Sequence, residues 1–164
     1  MPKKPKPPSG NAFFVIAEGY KDGGDACFEK LIKPSYTGQI IYACIFLYFR
    51  AIELYLKAAL ADRGVSSSQS KNAKHDIKKL IVLLKQVVKP QKLCLLASDI
   101  KFLQKYTDDY LVKWFEYPHK LQDLDFKKET IRDLCHKFSR VTQTRYWACR
   151  LASLDGELGG QAKL

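Results

Sequence analysis

The chain has 164 residues, enough for one domain with a core that needs neither disulfides nor metals. Hydrophobic residues make up 46% and charged residues 27%, which excludes a disordered or fibrous chain. Lys and Arg number 28 against 17 acids, a net charge of +11, which favours polyanionic partners through long-range attraction. The five cysteines are odd in number and include no close pair, so they read as reduced core residues of a cytoplasmic protein. Zinc needs close ligand pairs, so no metal and no cofactor is expected.

The opening "MPKKPKPPSG", residues 1–10, reads as a disordered, basic, Pro-rich tail with no apolar stretch of a leader peptide after it. Residues 11–152 read as one helical domain, and the Gly-rich stretch 153–164 as a flexible tail. Residues 11–33 carry helical periodicity that "KDGGD" is expected to interrupt, with Asn11 as a cap and Pro34 as a stop.

The clearest helix is expected over 37–63. Ile41, Ile45, Tyr48, Ile52, Leu56 and Ala59 follow helical spacing, Leu47, Leu54 and Ala58 add a second apolar side, and Gly64 ends the run. Arg50, Glu53 and Lys57 interrupt the greasy stretch "FRAIELYLKAAL" and share, with Gln39, a sector of roughly 60°. They also make a membrane span implausible. The strip has two readings: a solvated seam of i,i+3 and i,i+4 pairs, or the edge of a cleft in which Glu53 holds the cations for an anionic ligand.

"VSSSQSKNAK", residues 65–74, reads as a loop. A third helix is expected from near His75, capped by Asp76 or Asn72, with Ile77, Leu80, Ile81, Leu84, Val87 and Val88 inward and Lys89–Pro90 at its end. Residues 71–92 hold seven lysines against Asp76 alone. That is either a solvated face or a phosphate-contacting one centred on Lys74, His75 and Lys78. A fourth helix is expected over 93–115, with Leu96, Ile100, Leu103, Tyr110, Leu111 and Trp114 buried, and then a loop, "EYPHKLQDLD". The aromatic run "YTDDYLVKWFEYP" reads as core and rim.

The last helix is expected over 126–151. Ile131, Leu134, Cys135, Phe138, Val141, Thr142 and Cys149 line one side, and Arg132, His136, Gln143 and Arg150 the other. Arg132 and His136, one turn apart, have the chemistry for RNA cleavage: a general acid or base, and a cation to hold phosphorane-like charge. The bland alternative is an ordinary basic surface. No segment alternates like a strand. The fold class is therefore all-α, an antiparallel four- to five-helix bundle.

"IFLYFRAIELYLKAAL" followed after a loop by "KHDIKKLIVLL" resembles the HEPN superfamily. Glu53 and Lys57 match its Glu-x-x-x-Lys core, His75–Asp76 its helix start, and Tyr117–Pro118 a Tyr-Pro pair that follows a long helix. The resemblance covers roughly residues 37–118. It implies a helical bundle, often a homodimer, that engages RNA, a nucleotide or a nucleotidyltransferase-like protein partner. Many members are metal-independent RNases whose Arg and His are separated by a longer spacer than the three residues between Arg132 and His136. The resemblance therefore favours a non-catalytic RNA-, nucleotide- or partner-binding regulatory module with a basic groove. The alternatives are a toxin-like RNase using Arg132 and His136, and the protein-interaction half of a toxin–antitoxin-type pair. It also implies that Arg50, Glu53 and Lys57 line a groove beside the Arg–His pair.

Overall fold

The computed structural model describes residues 10–32, 40–88, 95–111 and 128–159, with side chains left out of account at Ser67, Lys71, 108–111 and 144–159. Six helices occupy the described residues and no strand is present among them: α1 (Gly10–Leu31), α2 (Ile40–Ala61), α3 (Ser67–Asn72), α4 (Ile77–Val87), α5 (Ala97–Leu111) and α6 (Lys128–Gly159). The all-α expectation holds, and the count exceeds the expected four to five. Among the described residues, no helix is long and apolar enough to cross a membrane.

The centre of the molecule is α2. Every residue from Ala51 to Leu60 except Lys57 is buried, as a helix nonpolar nearly all round requires. Its neighbours are α1, α6 and α4, with the short α3 at its end. Pairings of Gly24 with Tyr48 and of Glu18 with Tyr55 run in opposite senses along α1 and α2, so these helices are antiparallel. Asp25 with His136 and Glu18 with Ser139 set α1 antiparallel to α6 as well. It follows that α2 and α6 run in the same direction.

The expected break in α1 does not occur; the helix runs straight through "KDGGD". Packing overrides the glycines' poor helix propensity, because α1 and α2 meet at Gly24. A Cβ on Gly24 would lie 2.7 Å from the Tyr48 ring, so only glycine admits that ring against the α1 backbone. At the other end, Asn11 lies inside α1, which begins at Gly10.

At the end of α2, Gly64 adopts φ +74, the left-handed geometry expected of a helix stop. Residues 67–72, read from the sequence as loop, form the short helix α3, a piece too short and polar to leave a periodic signal. Asp76 is the N-cap of α4, its carboxylate accepting from Lys79 N at 3.1 Å. Ile77, Leu80, Ile81 and Leu84 are buried as expected, but Val87 is exposed because it occupies the last turn of α4.

Ile100 and Leu103 are buried, whereas Leu96 is exposed because it precedes α5, its N–H spent on Asp99 Oδ2 at 2.8 Å. Ile131, Leu134, Cys135, Phe138 and Thr142 of α6 face the core. The α6 backbone stays helical through Gly159, past the expected end at Leu151. The N-terminal tail, Gln39, Lys89–Pro90, Cys94, Trp114, the loop over 116–125 with Tyr117–Pro118, and the side chains of Tyr110, Leu111, Cys149 and Arg150 lie outside the described residues. Cys27, Cys44 and Cys135 are free thiols.

Candidate functional site: two charged clusters on opposite sides of a buried helix

The charged strip of α2 is not a solvated seam. Glu53 is fully buried, the Lys57 side chain is 13% exposed and that of Arg50 25%. Arg50 Nη1 donates to Glu53 Oε2 at 2.7 Å and Lys57 Nζ donates to Oε1 at 2.6 Å. A carboxylate taken out of water needs such partners, since its desolvation costs several kcal/mol (~5 or more) when it is left alone. His75, from the turn before α4, closes the cluster from outside with a side chain 59% exposed. Its Nδ1 stands 2.7 Å from Arg50 Nη1 and 3.2 Å from both Glu53 oxygens. Arg50 can only donate, so an unprotonated Nδ1 accepts from Arg50, while a protonated Nδ1 donates to Glu53. The two contacts belong to alternative proton positions. Lys74, exposed beside it, has φ 50, an uncommon backbone state for a side-chain-bearing residue and one that sets the sharp turn into His75. The Tyr20 ring from α1 covers Arg50, with 5.9 Å from guanidinium to ring centroid.

The Arg132–His136 strip of α6 meets α1. His136 Nε2 lies 2.8 Å from Asp25 Oδ1, and Tyr48 Oη donates to the same oxygen at 2.7 Å. Burial alone would raise the Asp25 pKa; hydrogen bonds from His136 and Tyr48, with the charges of His136 and Lys21, outweigh it and hold the carboxyl below the usual carboxylate range. Burial, reinforced by the bond to Asp25, drives the Tyr48 hydroxyl far above the phenol range, so it stays a donor. Lys21 stands 3.6 Å from Asp25 and 3.7 Å from Glu18. It links this group to a second one, in which Tyr55 Oη and Ser139 Oγ both donate to Glu18 Oε1 at 2.5 Å.

Beside Asp25 and His136 opens a groove of about 670 Å³, lined also by Phe28, Glu29, Arg132, Asp133 and Arg140. Phe28 is its apolar wall, with the Arg132 guanidinium 4.3 Å from the ring centroid and Lys128 Nζ at 5.9 Å. Its lining is mixed in charge and not uniformly basic. Arg132 is 3.4 Å from Asp133, an exposed pair that contributes little.

The strips expected to share one groove thus leave α2 on different sides. Tyr48 reaches toward Asp25 and His136, whereas Glu53, five residues on and about 140° around the helix, turns to Arg50, Lys57 and His75. Lys78 lines a separate depression between α3 and α4. Asp25, Phe28 and Arg140 escaped the reading of the sequence. Glu18, Lys21, Asp25 and Phe28 fall at spacings of three, four and three, one face of one helix, a signal hidden once "KDGGD" is taken as a break.

Among the described residues, no group of three or more His, Cys, Asp or Glu is placed to hold a metal ion. No protein-family model matches the chain, and no curated protein and no solved structure matches it significantly. The HEPN resemblance therefore rests on the residues quoted for it.

Proposed function

We propose that the chain is a HEPN-like regulatory module that binds a nucleotide or a short stretch of RNA in the groove between α1 and α6. The observation that supports this most is the convergence of Arg132, Arg140 and His136 on one opening with Phe28 at its wall. The volume is within the range of pockets that take small organic ligands. Arg140 offers a forked donor for a phosphate, and the Arg132 guanidinium, backed by the buried Phe28 ring, offers a flat face for a base. Glu29 and Asp133 would repel a continuous phosphate backbone but accept hydrogen bonds from a base or a ribose. The mixed lining thus favours a nucleotide, or one or two nucleotides of a strand, over a long duplex. Titration of the protein with nucleoside phosphates and short single-stranded RNA at two salt concentrations tests the reading. Saturable binding that weakens with salt supports it, and no binding of either at low salt refutes it.

A second reading, a metal-independent endoribonuclease, is favoured by the Asp25–His136 hydrogen bond. Asp25 would hold Nε2–H, leaving Nδ1 to take the proton of a ribose 2′-hydroxyl as its oxygen attacks the adjacent phosphorus; the P–O5′ bond breaks to give a 2′,3′-cyclic phosphate, the departing 5′-oxygen is protonated by water, and Arg132 stabilises charge on the phosphorus oxygens. RNA cleavage that persists in chelator and disappears in His136→Ala supports this reading. Intact RNA at high protein concentration ends it and leaves the binding module.

A further inference from the structure

The α1–α6 groove does not account for the depression between α3 and α4, a hollow of about 360 Å³. Ala73, Val82 and Leu83 are its apolar lining, and Gln69, Asn72, Lys78 and Lys79 its polar lining. Val82 is 52% exposed although its helix already buries Ile77, Leu80, Ile81 and Leu84 in the core. Beside it Leu83 is half-buried and packs against the edge of the core, so α4 presents one exposed apolar side chain next to a partly covered one. Lys78 and Val82, like Lys79 and Leu83, are four apart, so each apolar residue has a lysine one turn before it on the same face.

We infer that this depression docks an acidic amphipathic helix of a partner protein. The apolar lining calls for aliphatic or aromatic anchors one helical turn apart; Lys79 stays largely exposed although it pairs with Asp76 at 3.4 Å, and with the positive excess of the segment it calls for carboxylates flanking those anchors. Charge complementarity selects this occupant. Residues 71–92 hold seven lysines and one acid, and the whole chain carries +11, so a second copy of the chain meets like charge here. A polynucleotide is disfavoured by the lining, which has no aromatic ring on which a base could stack. The hollow is large enough for two or three anchoring side chains of one helix, a small surface with a few dominant contacts.

The test is selection of a displayed library of random peptides on the full chain, followed by affinity measurement of the enriched peptides. Val82→Ser and Lys79→Glu are the variants; both side chains are largely exposed, and an acid in the first turn of α4 suits the helix dipole, so the fold is retained. The expected result is enrichment of peptides with apolar anchors at i,i+3 or i,i+4 flanked by Asp or Glu. Their affinity should fall at least tenfold in each variant and decline with salt. Recovery of no binder, of peptides without that pattern, or of peptides indifferent to both substitutions overturns the inference. So does a dimer of the chain that Val82→Ser dissociates, or competition by single-stranded RNA for the same residues.

Discussion

Asp25 on α1 and His136 on α6 stand 2.8 Å apart, Oδ1 to Nε2, across the antiparallel contact of the two helices. The same carboxylate oxygen accepts from Tyr48 of α2, so one acid ties three helices at the mouth of the groove. Asp25 therefore contributes both to the packing of the three helices and to the lining of the groove.

Because its neighbours lower the folded-state pKa of Asp25, its contribution is fully present above the ordinary aspartate value near 4. That contribution is lost as pH falls through the folded-state value. Asp25→Asn should therefore lower the melting temperature at pH 7, and the gap to the unaltered protein should close on acidification below about pH 4. Thermal melts across that range give the readout; a gap that is constant or widens in acid contradicts the ionic role.

Loss of Glu53 should be severe. Glu53→Ala removes the carboxylate that both Arg50 and Lys57, partly buried, donate to. Removing one partner of a buried ion pair costs about 3–5 kcal/mol. His75→Ala, at an exposed position, should cost less than about 1 kcal/mol. Urea unfolding of the two variants measures both, and similar small losses would place the cluster in solvent.

Gly24→Ala pits two effects against each other. Alanine improves helix propensity by about 1 kcal/mol, but its Cβ would press on the Tyr48 ring at 2.7 Å. A buried ring wedged between helices cannot swing aside cheaply, and overpacking of this kind costs about 1–3 kcal/mol. The net effect is expected to be destabilising, with Tyr48 displaced from Asp25. An unchanged or raised melting temperature would show that α1 and α2 are further apart.

Burial raises the Cys44 thiol to about 12, with the nearby Cys27 and Asp25 adding to the effect, and Cys135 rises for the same leading reason. Thiolate is the reactive form, so both should resist alkylation at pH 8 in the folded protein and react fully in denaturant. Peptide mapping after iodoacetamide treatment reads this directly. Rapid native labelling of Cys44 would contradict the packing of α2 against α1.

How much of this could be read in the residues depends on the period each element displays. In α2 and α6, apolar positions recur at three and four over several turns, so the buried faces were legible down to Ile45, Tyr48, Ile52, Ile131 and Phe138. The pairing of Arg50, Glu53 and Lys57 was legible as well, because i,i+3 and i,i+4 neighbours meet on any helix. Burial of Glu53 was not, since nothing in the spacing shows which neighbours cover that side. The continuity of α1 was obscured because glycine is a poor helix former in isolation, and only the Tyr48 ring supplies the reason for Gly24. With α1 read as broken, Asp25 had no helix face, and the groove lost the wall that faces Arg132 and His136. A contact between residues 111 positions apart leaves no local signature.

The most direct measurement is a calorimetric titration of the protein and its Arg132→Ala, Arg140→Ala double variant with a nucleoside triphosphate, a nucleoside monophosphate and a short single-stranded RNA. Each charge-assisted contact to phosphate contributes about 1.5–3 kcal/mol, roughly tenfold or more in affinity. The expected result is saturable one-site binding that drops at least a hundredfold in the double variant and is unchanged in Lys74→Ala, which lies away from the groove. Equal affinity in both proteins, or loss of binding on altering Lys74 alone, would contradict a nucleotide site between α1 and α6.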